Sequence, residues 1–223
     1  MSASINAEDV VLGIVREYLS KKPFFSMKNI VEYINNRVRY NPDINKNRIE
    51  LIIKSLIKKR VIIPGTKLMK RDIVDNPTRN EIYKYIKQNP AKNINEIMKA
   101  HNLGSNLALW HLSALEKFQF IRSKKIRNQC IFFQFDSDPK FDELHYYMTN
   151  EIVQSIITFM ENERSLKITE IADGLKKNHN TIKKYLEALI DLKLVEIEKE
   201  KSRDLYKLNK ERYLKAVKLV NRG

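Results

Sequence analysis

One cysteine, five glycines and one tryptophan in 223 residues are low counts, and the first two exclude whole classes of function. A single thiol, Cys130, leaves no partner for an internal disulfide and suits a reducing compartment. Five glycines leave little room for the loops that cradle nucleotide phosphates, and none lies in a GxGxxG or Walker-type context. No apolar run approaches the roughly 20 residues that a membrane span needs. Residues 1–9 carry neither a basic region nor an apolar core, so no secretory signal is expected. Together these absences predict a cytoplasmic protein with no membrane partner.

Constellations for chemistry are equally sparse. His101, His111 and Cys130 fall in one stretch, but no pair has the i, i+3 or i, i+4 spacing of a shared helical site, and no CxxC occurs. No metal and no cofactor is therefore expected, and no small-molecule ligand is evident. His111 reads as a hydrogen-bonded packing residue, and Cys130, among Ile131, Phe132 and Phe133, as a small packing residue. Glu161/Glu163 and the alternating Glu196, Glu198 and Glu200 read as solvent-facing charge. Nothing resembles a Ser/His/Asp arrangement, so the chain is not expected to be an enzyme.

What is present is positive charge and a repeat. The net charge is +15 and the pI about 9.7, which should draw the chain to polyanions. The charge is uneven. Residues 1–72 carry 15 basic and 7 acidic side chains, 73–137 carry 10 and 5, and 138–223 carry 17 and 15. The last third would therefore bind a polyanion only through local placement of charge.

The repeat spans fourteen residues without a gap. Ile49, Ile53 and Leu56 precede Val61 and Ile62; Ala108, Leu112 and Leu115 precede Phe120 and Ile121; Ile182, Leu186 and Leu189 precede Leu194 and Val195. Apolar residues at steps 0, +4 and +7 make one face of a helix, and the pair at +12 and +13 marks entry into a strand. A third helix and first wing strand of a winged helix-turn-helix domain read this way. The expected class is mainly α with small β wings (α+β), built as three tandem winged helix-turn-helix modules. Their expected bounds are 1–72 with a reduced wing, 73–137, and 138–223 with a terminal amphipathic helix.

Local signals fill in each module. A helix over Val11–Leu19 should stop at Lys21 and Lys22, before Pro23. A second runs from about Ser26 through Ile34, Asn35 to Asp43 form an extension, and Asn45 can cap the third helix. Pro77 sits at the first position of the next helix, which Asn89 and Pro90 end, and Asn95 is the expected cap of the helix carrying Ile97 and Met98. Strands over Phe120–Lys124 and Cys130–Phe135 flank a wing tip at Lys125 to Asn128. Asp136 to Glu143 read as a linker. Thr169 is the expected cap of the following short helix, and strands over Val195–Lys199 and Leu205–Leu208 enclose a tip at Lys201 to Arg203.

The opening Asn76, Pro77, Thr78, Arg79, Ile82, then Trp110, His111 and Leu112, then Phe120 to Ser123, resembles archaeal winged helix regulators of the broad ArsR/MarR-like type. The third module, with Asn180 to Ile182 and Leu194 to Glu196, is similar to a second domain of that kind. The resemblance covers roughly residues 74–210, and the first module shares only its apolar spacing. It implies binding to double-stranded DNA and control of transcription, usually as a homodimer.

Base edges in the major groove present donors and acceptors, so a reading helix needs polar side chains near its N-terminus. Asn178, His179, Asn180, Thr181, Lys183 and Lys184 meet that need, with Asn178 spent as the cap and Asn180 and Lys184 the leading base readers. Thr181 and Lys183, and Lys201 and Arg203 from the wing, suit phosphate. Lys46, Asn47 and Arg48 make the first module a second candidate, and Lys124, Lys125 and Arg127 are the basic wing of the central one. The central third helix differs, because Leu109 and Trp110 stand where a reader would show polar groups and no Lys or Arg lies between Ser105 and Glu116. An exposed apolar pair of that kind marks a protein interface. Tyr213, Val217 and Val220 on the last helix are the expected dimer element. The competing reading is a protein–protein adaptor, like tandem winged helices in ESCRT-II or in subunits bound to RNA polymerase or condensin; the acidic Glu196, Glu198 and Glu200 favour it.

Overall fold

The structure, a computed structural model, describes residues 6–22, 24–161, 165–200 and 203–220. In chain order the elements begin with α1 (Ala7–Lys21), α2 (Met27–Val38), α3 (Lys46–Lys58), α4 (Lys70–Asp75) and α5 (Pro77–Gln88). Next come β1 (Lys92–Asn93), α6 (Ile94–His101), α7 (Ser105–Lys117), β2 (Ile121–Ile126) and β3 (Gln129–Gln134). A 3₁₀ turn at Pro139–Phe141 leads into α8 (Asp142–Met148), followed by α9 (Glu151–Glu161), α10 (Ile168–Gly174) and α11 (His179–Asp191). β4 (Val195–Glu200), β5 (Arg203–Leu208) and α12 (Lys210–Val220) complete the described chain. The architecture is mainly helical with small antiparallel sheets, the α+β composition of winged helix proteins.

The chain divides into two compact units. One holds the described residues up to Lys84 together with Leu103–Ile121, and the other holds Tyr85–Asn102 and the residues from Arg122 onward. In the first unit, α1, α2 and α3 enclose a core of Val11, Val15, Ile30, Ile34, Ile49, Ile53 and Leu56. Each such side chain contributes roughly 1.5–3 kcal/mol on leaving water. Ile62 and Met69 form one isolated antiparallel bridge. In the second unit, α9, α10, α11, β4, β5 and α12 surround Val153, Ile156, Ile157, Ile171, Ile182, Leu186, Leu189 and Leu208. β4 and β5 pair antiparallel from Val195↔Leu208 to Glu200↔Arg203, and β1 adds to the edge of β3 in a sheet ordered β1-β3-β2.

The fourteen-residue repeat is visible in backbone detail. All nine helical positions of the repeat are buried. At the end of each copy one residue enters the left-handed region: Arg60 (φ 54°), Gln119 (φ 57°) and Lys193 (φ 60°). The next amide then reaches back to the carbonyl five residues earlier, from Val61 to Leu56, Phe120 to Leu115 and Leu194 to Leu189, at 2.9, 2.9 and 2.8 Å. This is the bond that turns a helix sharply into a following strand. None of the three left-handed residues is glycine, so composition offered no cue.

Several local expectations need correction. α2 continues to Val38, because Val38 extends the buried face of Ile30, Val31 and Ile34. α6 is capped by Asn93, not Asn95: Asn93 Oδ1 accepts the Glu96 N–H at 3.0 Å while Glu96 accepts the Asn93 N–H at 2.9 Å. That reciprocal pair satisfies two otherwise unpaired donors. Thr169 lies inside α10, whose cap is Lys167, with the Glu170 carboxylate accepting the Lys167 N–H. The central wing tip is shorter than expected, since β2 runs through the buried Ile126 and only Arg127 and Asn128 turn. Cys130 is exposed, not packed. From Pro139 the expected linker is instead helical, and Asp142 at the head of α8 is buried against Arg122. Pro23, Glu163, Lys201 and Ser202 lie outside the described residues.

Candidate nucleic-acid interface

α11 begins at Asn178, whose Oδ1 accepts the Asn180 N–H at 2.8 Å, so this side chain is spent on the helix end. Ile182, Leu186 and Leu189 turn one face into the core. His179, Asn180, Lys183 and Lys184 are exposed and Thr181 is half-buried. Among the described residues neither lysine is held by a carboxylate. Two cations and an amide on the outer face of a buried helix form a surface that can meet base edges and phosphates together.

Of the three acids on the strand beside α11, Glu198 is paired with a cation in its own sheet. Glu198 pairs with Lys207 at 2.9 Å and accepts the Ser165 hydroxyl at 2.7 Å, and these two bonds hold its carboxyl below the usual range. Glu196 accepts the Asn209 amide at 2.5 Å. Arg203, in β5, stands opposite Glu200 in register. These partners weaken the argument from acid against α11 as a reader.

The other predicted clusters fall as follows. Lys46, Asn47 and Arg48 are exposed at the start of α3, capped by Asn45, and Arg48 donates to the Asp43 carbonyl at 2.7 Å. Lys124 pairs with Glu143 at 3.1 Å, while Lys125 is exposed. Arg127 is engaged at the hairpin tip with Tyr147, Tyr185 and the Lys184 carbonyl. On α7, Leu107, Leu109 and Trp110 are 47, 50 and 56% exposed. Beneath Trp110 lies Arg79, only 4% exposed, with its guanidinium 4.5 Å from the indole centre. His111 is buried beside them, and desolvation, with Arg79 second, holds its imidazole below its ordinary pKa. On α12, Tyr213, Val217 and Val220 pack against the core of their own unit, and Leu214 and Leu219 are the exposed apolar residues. Among the described residues no three His, Cys, Asp or Glu side chains group as metal ligands, and no helix is long and apolar enough to cross a membrane.

Sequence reasoning missed the pairings of Arg79, Arg122 and Arg127. Arg79 and Trp110 both lie in the quoted motifs, so their co-occurrence was the available signal. For Arg122 and Arg127 there was none, because their partners are 20 and 57 residues away.

Comparison with known proteins bears on the surface of α11. Residues 146–199 match the family model described as winged helix-turn-helix transcription repressor, HrcA DNA-binding. This span covers α9, α10, α11 and most of β4. Residues 146–199 are thus similar to a winged helix-turn-helix domain, with α11 at the third-helix position of the match. The chain is also similar to a protein of Methanocaldococcus jannaschii named an uncharacterized HTH-type transcriptional regulator, MJ1398, at 28% identity over 208 residues. That alignment covers 91% of this chain and 53% of the relative, so the chain spans about half the length of the curated protein it matches. A crystal structure of the DIP2311 protein from Corynebacterium diphtheriae aligns at 12% identity over 93% of this chain and 42% of that one. Its TM-score is 0.24.

Proposed function

We propose that this chain is a DNA-binding transcriptional regulator of the archaeal ArsR/MarR-like type, built from three tandem winged helix modules at 1–72, 73–137 and 138–223. The observation that carries the reading is α11: an exposed polar N-terminal half with two lysines that no carboxylate holds among the described residues, inside the segment that matches a repressor's DNA-binding domain. Asn180 and Lys184 read bases, while Thr181, Lys183 and Arg203 hold phosphate, with Lys201 extending that role. The basic first and second modules add sequence-independent affinity through Lys46, Asn47, Arg48 and Lys125. The protein acts in the cytoplasm, and it dimerises through α12, by way of the exposed Leu214 and Leu219 in place of Tyr213, Val217 and Val220, which pack in their own unit.

The test is retention of random and genomic duplex fragments by the intact protein at two salt concentrations, followed by sequencing. A recovered motif that survives moderate salt is the expected result. Lys183→Glu with Lys184→Glu should then weaken binding to that motif by tenfold or more, since each removes a cation at the helix that faces DNA. Unchanged affinity would eliminate α11 as the reader.

One observation favours the adaptor reading: α7 shows solvent three large apolar side chains where a reading helix shows polar ones. Retention of all fragments at low salt and none at higher salt would favour it.

A further inference from the structure

The tip of the β2–β3 hairpin is docked on α11. Ile126 is buried with Ala91, Ile131 and Phe133, which anchors the strand up to the last residue before the turn. Arg127 and Asn128 both have positive φ, 49° and 45°, the geometry of the tightest two-residue hairpin turns. Such a turn has no slack, so the Arg127 backbone is fixed by the sheet. Its side chain then meets α11 and α8 at once. Nε donates to the Tyr147 hydroxyl at 3.1 Å, and Nη2 donates to the Lys184 carbonyl at 2.5 Å. The guanidinium plane lies 4.3 Å from the Tyr185 ring centre and 5.4 Å from that of Tyr147.

We infer that Arg127 is a positioning residue, which locks the hairpin tip against the flank of α11 and so sets the angle at which Asn180, Lys183 and Lys184 face DNA, without touching DNA itself. The inference rests on the DNA-binding reading of α11. Two of the five N–H donors of this exposed guanidinium are spent on a hydroxyl and a carbonyl, and its face is held between two tyrosine rings, so its orientation is set by the protein. Tyr185 sits half-buried between the core face of α11 and its exposed face, so the lock closes one side of the reading surface. Only the planar fork of arginine can stack on a ring while donating in two directions; an ammonium supplies charge without that geometry.

The experiment compares the intact protein with Arg127→Gln and Arg127→Lys on the selected duplex across a salt series. A positioning role predicts that both variants lose about tenfold in affinity, comparable to one lost base contact. It also predicts an unchanged slope of log affinity against log salt. A direct phosphate contact predicts instead that the slope falls by about 0.9 in Arg127→Gln and that Arg127→Lys retains most of the affinity; that result would overturn the inference. Amide exchange supplies a readout that needs no DNA. Residues 184–188 should exchange faster in Arg127→Gln, and unchanged protection there would overturn the lock. If the wild-type chain selects no duplex motif, the DNA reading fails on that result, and the lock is decided by exchange alone.

Discussion

At the scale of single residues, the least solvent-tolerant feature is the ion pair between Arg122 and Asp142. Two guanidinium nitrogens meet the two carboxylate oxygens at 2.7 Å each, and the same guanidinium donates to the carbonyl and hydroxyl of Ser137. Asp142 is 1% exposed. Removing one member of a buried pair leaves the other charge uncompensated, so Asp142→Ala should cost about 3 kcal/mol, visible as a lower urea midpoint. Stability equal to wild type would mean that the charge is better hydrated than its burial implies. His111 gives a pH dependence. Its folded pKa lies below the ordinary 6.5, through burial first and Arg79 second. The unfolded chain therefore takes up the proton first, so stability is complete above 6.5 and falls as pH drops through that value toward the folded pKa. His145 is depressed in the same direction. Urea midpoints measured between pH 7.5 and 5 should fall less steeply in His111→Gln than in wild type; parallel curves would rule the histidine out as a source of the loss.

At the scale of elements, the helix ends carry more of the design than the helix interiors. Asn45 and Asn178 were legible as caps because each stands immediately before an apolar-periodic helix, and both side chains accept the expected amides. Asn95 and Thr169 misled because cap-favouring side chains stand there, two residues late, whereas the true caps, Asn93 and Lys167, use a glutamate three residues on. The contact between α9 and α10 depends on an absence. A Cβ on Gly174 would stand 2.3 and 2.5 Å from ring atoms of Phe159, closer than any such contact survives. Gly174→Ala should therefore destabilise by roughly 1–3 kcal/mol by overpacking, and adding Phe159→Leu should recover part of the loss. A Gly174→Ala protein with an undiminished denaturation midpoint would show that the ring can step aside.

At the scale of the whole molecule, charge and chemistry are distributed differently. The excess of cations lies in residues 1–137, while the helix best suited to reading lies in the nearly balanced last third. Long-range attraction and recognition are then separate tasks, one set by net field and the other by a few side chains. The acids of β4 fit this division. Lys207 in the same wing offsets the charge of Glu198, whereas the Asn209 amide satisfies Glu196 without removing its charge.

Periodicity alone determined the three repeat helices and their nine buried positions, because a step of four and three residues places side chains on one helical face whatever the surroundings, whereas α4 and α8 left no such pattern. The polar start of α11 was equally legible, since it follows from what the apolar face leaves over. Only the tertiary structure decided what the arginines do. Arg79, Arg122 and Arg127 read as three basic residues in the chain; folding buries one under an indole, pairs one with a carboxylate 20 residues away, and stacks one on tyrosines of other helices. A long cationic side chain is solvated or engaged according to which partners the fold brings within about 4 Å, and partners distant in sequence leave no local pattern to read.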